Sequence, residues 1–210
     1  MKKKATKKVY NLVIVDESGS MSVIQRETLA GINETISTCQ EMQKVHPEME
    51  QYITLISFDS RHFKTHYDNV RADKARMLDK DQYNPSAATP LYDAIGMGVA
   101  IMNAHTGVKD KVLVTIITDG YENSSREYSL KMVKNLIDKQ KKQGWTFTLI
   151  GTDNLDVAGM ARSMSIDNHL EFSEDAEATE AMFERERACR RRFGDYCYAD
   201  LPMEEGSYFD

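Results

Sequence analysis

Asp16, Ser18 and Ser20 stand at every second position of "VIVDESGSMS" (residues 13–22), directly after three β-branched apolar residues. A continuous Val/Ile run is what a strand covered on both faces looks like, so this strand delivers a carboxylate and two hydroxyls to its carboxyl end. Along an extended segment alternate side chains point the same way. A second apolar run, "KVLVTIITD" (111–119), also ends in an acid, Asp119, and Thr89 precedes Pro90 in the loop before "LYDAIGMGVAIM". Ligands of open α/β sheets bind outside the carboxyl ends of the strands, where the direction of strand addition reverses. Five oxygen-bearing side chains from three segments could therefore meet at one point. Oxygen-only donors select a hard cation, Mg²⁺ or Mn²⁺, over zinc or copper. Three of the five are neutral alcohols, which leaves such a cation electrophilic, with a position open to a carboxylate from another protein.

The elements that must position these groups alternate. A strand over 9–16 is followed by a helix from about Ser22, with Gln25 placed to complete a capping box. Leu29, Ile32, Ile36, Cys39 and Met42 form its apolar face, and His46-Pro47 ends it. "YITLISF" (52–58) reads as a buried strand and "HFKTHY" (62–67) as an edge strand. The short link between them makes the pair antiparallel. Thr89 is expected to cap the next helix with Pro90 at its first position, and Leu91, Ile95, Val99 and Met102 to carry its buried stripe. After the strand ending at Asp119, Ser124 and Glu127 predict a capping box for a helix ending near Gly144. "TFTLIG" (146–151) and "HLEF" (169–172) read as strands around a short helix in "LDVAGMARSM", and a last helix spans about 173–193. This order predicts a doubly wound, mostly parallel six-stranded α/β sheet with helices on both faces.

"DESGSM" (16–21), "ATPLYDAI" (88–95) and "ITDG" (117–120) together resemble the von Willebrand factor A (VWA) domain and its metal-ion-dependent adhesion site. The resemblance covers roughly residues 8–190. It implies a Rossmann-like sheet of order 3-2-1-4-5-6 with one antiparallel edge strand. It also implies Asp16, Ser18, Ser20, Thr89 and Asp119 as ligands of Mg²⁺ (or Mn²⁺), and a bacterial-type, stand-alone, cytoplasmic member that binds a protein partner through an Asp or Glu of that partner. The competing class is a metal-assisted phosphatase or hydrolase. "DESGS" is faintly similar to the nucleophile loop of haloacid-dehalogenase-like phosphatases, but position 18 is serine where a second acid would act. No G-x-S-x-G motif surrounds Ser18 or Ser20, and no histidine neighbours these segments as a base. No catalytic residue is assigned.

Around the cluster, Glu17, Asn84, Tyr92, Tyr121, Glu122, Asn123 and Arg126 are expected to form a partner-binding rim, since aromatic and Arg side chains anchor interfaces. His62 and His66 fall on one strand, roughly 13 Å apart by strand rise, and read as exposed edge residues. "GMG" (96–98) reads as close helix packing. A net charge of −6 over 210 residues argues against nucleic acid, and no apolar run approaches the roughly eighteen residues of a membrane span. The basic start runs into a strand with no cleavage site, unlike a signal peptide. Cys39, Cys189 and Cys197 are odd in number and carry no C-x-x-C, which points to reduced thiols and a cytoplasmic chain. The expected organisation is a basic tail (1–8), the domain (9–193) and an acidic, aromatic-containing tail (194–210), both tails weakly ordered. Arg190, Arg191 and Arg192 are expected to complete the last helix or to attract that acidic tail. The sequence sets no oligomeric state.

Overall fold

Alternate residues of β1 (Lys7–Asp16) enter two separate cores: Val9, Val13 and Val15 face one, Tyr10, Leu12 and Ile14 the other. That division accounts for the unbroken apolar run. The computed structural model describes residues 7–107 and 110–210. After β1 come α1 (Gln25–Val45), β2 (Met49–Phe58), β3 (Phe63–Arg71), α2 (Leu91–Asn103) and β4 (Lys111–Thr118). They are followed by α3 (Leu130–Lys141), β5 (Trp145–Thr152), α4 (Val157–Ser163), β6 (Asn168–Phe172) and α5 (Ala176–Ala199). The sheet order is β3-β2-β1-β4-β5-β6, with β3 antiparallel to β2 and the other pairings parallel. The expected doubly wound sheet and strand order are both present. Helices α1 and α5 supply the first core, and α2, α3 and α4 the second. β1 and β4 are neighbours at the reversal, so Asp16 and Asp119 leave the sheet side by side.

Three helix starts differ from expectation, because none of them is opened by the hydroxyl that its sequence window offers. A short 3₁₀ turn (Gly19–Ile24) precedes α1, which opens at Gln25 without a side-chain cap. The Gln25 amide instead donates to the Tyr83 carbonyl at 2.9 Å. α2 opens at Leu91 after Pro90, with no side-chain cap, so Thr89 is not spent there. α3 starts at Leu130 under Ser129, five residues beyond Ser124. In between, the Asp93 carboxylate accepts the backbone N–H groups of Arg126, Glu127 and Tyr128 at 2.7–2.9 Å. Close helix packing at "GMG" is confirmed: a Cβ on Gly96 would stand 2.4 Å from the Tyr128 ring, and one on Gly98 2.9 Å from Ile14.

The weakly ordered acidic tail is also corrected. α5 runs through the expected boundary at 193 to Ala199, and Tyr208 and Phe209 are buried in the core. The Arg192 guanidinium donates to the carbonyls of Ser207, Tyr208 and Asp210, and Arg185 donates to that of Phe209. Of the Arg run only Arg192 holds the tail, through its backbone, while Arg191 pairs with Glu41 on α1. Arg190 turns inward at 2% exposure. It donates to Glu186, Asn11 and Thr115 at 2.6–2.8 Å, while the Tyr208 hydroxyl donates to Glu186 at 3.1 Å. A buried guanidinium is tolerated because each fork finds an acceptor. Residues 1–6 of the expected basic tail lie outside the described residues, and Lys7 and Lys8 open β1.

Candidate functional site

Asp16 is fully buried and both its oxygens are occupied. Oδ1 accepts the Ser18 N–H at 2.7 Å, and Oδ2 accepts the Thr118 hydroxyl at 2.6 Å. Register explains the second bond: Val15 pairs with Ile117, so the next residue of each strand, Asp16 and Thr118, stand level. The Ser20 hydroxyl donates to Asp119 Oδ1 at 2.8 Å and lies 3.3 Å from the Ser18 hydroxyl. Asp119 Oδ2 is buried and has no hydrogen-bond partner among the described residues. Thr89 joins the cluster across Gly120, where a Cβ would lie 2.9 Å from the Thr89 hydroxyl. Glycine at position 120 is thus what lets the two segments approach. The structure brings all five expected residues to one crest of the sheet.

Burial pushes both carboxyls up to about 6. For Asp16 the rise is partly offset by the bonds from Thr118 and Ser18. For Asp119 the Ser20 bond offsets it, and the nearby Glu174 charge adds to it. Among the described residues no Lys, Arg or His forms an ion pair with either carboxylate. Among the described residues no group of three or more His, Cys, Asp and Glu is placed to hold a metal ion. This cluster consists of two carboxylates and three alcohols.

Several rim expectations need correction. Glu17 is buried, not exposed to a partner. Its carboxylate accepts from Ser57 and Lys64 at 2.6 Å and from the Asn84 N–H, so it braces the 84–90 loop from beneath. Glu122 is likewise committed, accepting from the N–H groups of Tyr92, Ser124 and Ser125 and the Ser125 hydroxyl. Asn123 holds Thr89: its side-chain oxygen accepts the Thr89 N–H at 2.8 Å, and its own N–H donates to the Thr89 carbonyl. Tyr92 is half-buried, whereas Asn84, Tyr121 and Arg126 are exposed around the crest. His66 is not a free edge residue, because its ring lies 2.7 Å from the Ser57 hydroxyl. His62 is exposed and meets Asp59 at 3.3 Å.

Sequence reasoning missed Tyr83, whose buried hydroxyl donates to the Asp16 carbonyl at 2.7 Å, and Thr118. The Thr118 signal was present in the strand alternation, one residue before the acid. Asn123→Ala leaves the Thr89 N–H without its acceptor and is expected to destabilise the chain by about 1–2 kcal/mol. Urea unfolding checks this.

No family model matches the chain, and no curated protein matches it in sequence. Solved structures do share its fold, which is that of a VWA domain. A variant of the PilB minor pilin from Streptococcus sanguinis superposes with a TM-score of 0.63 at 12% identity, over 96% of this chain and 65% of the pilin. The pilus adhesin SpaC from Lactobacillus rhamnosus GG gives 0.64 at 14% identity, over 88% of this chain and 31% of the adhesin. The vWF domain of the type V pili tip protein Mfa5 from Porphyromonas gingivalis gives 0.58 at 12%, over 96% and 99%. The chain thus spans two thirds or less of the first two proteins and nearly all of the third domain.

The comparisons correct the cytoplasmic expectation, since the pilin, the pilus adhesin and the pilus tip protein named above share the fold. The three cysteines do not indicate a compartment, for a physical reason. All are buried, and burial pushes Cys39 up to about 11 and Cys197 up to about 12. Protonated, enclosed thiols do not pair in either redox setting. No helix among the described residues is long and apolar enough to cross a membrane.

Proposed function

We propose that this chain is a metal-dependent protein-binding module, in which Asp16, Ser18, Ser20, Thr89 and Asp119 hold Mg²⁺ (or Mn²⁺) and a partner protein supplies an Asp or Glu. The observation that carries the reading is Asp119 Oδ2, a buried carboxylate oxygen with no hydrogen-bond partner among the described residues, beside two serine hydroxyls. Leaving a buried acceptor unmade costs about 1–3 kcal/mol, and a cation removes that cost. The donor set fits a hard ion, being all oxygen and mostly neutral. When bound, the ion supplies a Lewis-acidic position that an incoming carboxylate can fill. Asp16, whose oxygens already serve Ser18 and Thr118, contributes charge from behind and fixes the loop. Ser18 and Ser20 present oxygens on one side, Asn123 fixes Thr89 on another, and Glu17 keeps the 84–90 loop in register with both.

A random peptide library displayed on phage and selected on the chain in Mg²⁺ tests the reading. Enriched peptides are expected to share an acidic position and to be released by chelator. Peptides that lack an acid, or that stay bound in chelator, contradict it.

A further inference from the structure

Next to the cluster, a cavity of about 230 Å³ opens between the β2–β3 turn, the start of α2 and the 124–126 segment. Its wall begins one residue from a proposed ligand, at Pro90 after Thr89, and one residue from Asn123, which holds that threonine, at Ser124. We propose that this cavity receives a second carboxylate of the same partner, so that the partner is a segment with two acidic side chains. One addresses the cation and the other the guanidinium groups of Arg61 and Arg126. The proposal rests on the reading above.

Arg61 and Arg126 both line the cavity and are exposed, and neither guanidinium has an ion-pair partner among the described residues. The acids in the same wall do not compete for them. Asp59 is buried and accepts the N–H groups of Arg61 and His62 and the Ser86 hydroxyl. Asp93 is taken up by three backbone N–H groups. Ser124 also lines the cavity, and its hydroxyl has no hydrogen-bond partner among the described residues. Phe63 and Met97 give the cavity an apolar side suited to the methylenes of a glutamate. Guanidinium groups bind carboxylates as a planar fork. On the opposite flank of the cluster stand Glu174 and Asp153, which repel an acid. The second carboxylate is therefore directed to the Arg61–Arg126 side.

The test uses the full chain and acetylated, amidated polyglycine peptides that carry one glutamate, or two glutamates separated by one to five glycines. NMR titration in saturating Mg²⁺ reads their affinities for the parent chain and for the Arg61→Gln/Arg126→Gln double variant. For the parent, the best two-glutamate peptide is expected to bind about tenfold tighter than the one-glutamate peptide, above the roughly twofold gain from having two equivalent acids. In the double variant that advantage is expected to fall to about twofold, measured against one-glutamate binding to the same variant. Both side chains are exposed, and an unchanged thermal midpoint confirms that the variant folds. An advantage that survives the double variant, or is absent from the parent at every spacing, overturns the second subsite and leaves the metal-dependent module standing. Failure of the one-glutamate peptide to bind in a Mg²⁺-dependent way overturns the module itself.

Discussion

Asp119→Ala is expected to weaken Mg²⁺ binding by about 100-fold or more while leaving the metal-free chain about as stable as the parent. The side chain is 4% exposed, with one oxygen serving Ser20 and the other serving nothing. Its removal ends one hydrogen bond and also ends the cost of the orphaned oxygen, so the two effects nearly cancel in the metal-free state. Asp16→Ala should behave differently. It strips the acceptor from both the Ser18 N–H and the Thr118 hydroxyl inside the core. A loss of about 3 kcal/mol is expected in addition to lost metal affinity. Calorimetric titration with Mg²⁺ and Mn²⁺, paired with urea unfolding, separates the two variants. If Asp119→Ala retains parental affinity, Asp119 is not a ligand.

The second large effect is on pH. Burial raises Asp16 from 3.8 to about 6, and Asp119 likewise. A carboxyl whose folded value lies above its unfolded one binds its proton more tightly in the folded chain. That contribution is fully present below pH 3.8 and is lost as pH rises through about 6. For Asp16 a rise of this size corresponds to at most about 3 kcal/mol, and for the less enclosed Asp119 to less. The metal-free chain should therefore lose stability between about pH 4 and pH 7 at these two positions. Asp59 and Asp73, whose values are lowered, act with the opposite sign over more acidic values. Subtracting the metal-free curve from the Mg²⁺-saturated one removes them. The difference should vanish near pH 5 and grow above pH 6, because an ion and two protons compete for the same carboxylates. Below about pH 6 the apparent Mg²⁺ affinity should fall by up to about 100-fold per pH unit. Thermal unfolding across pH, with and without Mg²⁺, reads both slopes, and a difference independent of pH contradicts the assignment.

Strand identity was legible because "VYNLVIV" and "VLVTII" lie between two helical layers and are apolar on both faces except at Asn11 and Thr115, which Arg190 satisfies. The acids that end them were legible because each stands where its apolar run stops. Local capping rules failed at Ser22, where a 3₁₀ turn precedes the helix, and at Thr89 and Ser124, where groups from other segments intervene. Asp93, Glu122 and Asn123 satisfy backbone N–H groups that a sequence window assigns to nearby hydroxyls. Glu17 misled because it sits between two site residues, yet the strand's alternation turns it the other way, onto Ser57 and Lys64. The carboxyl-terminal segment misled through its composition. Its acids suggest a solvated tail, but Tyr208 and Phe209 have an apolar slot to fill, and Arg185 and Arg192 take up its carbonyls.

The central claim is that the two carboxylates and three alcohols at the sheet's crest hold a hard cation. A crystal grown with saturating Mn²⁺ and measured for anomalous scattering tests it most directly. A single strong peak among Ser18, Ser20, Thr89 and Asp119 is the result predicted. An empty cluster at saturation, or a peak held only by outlying acids such as Asp153 and Glu174, would contradict it.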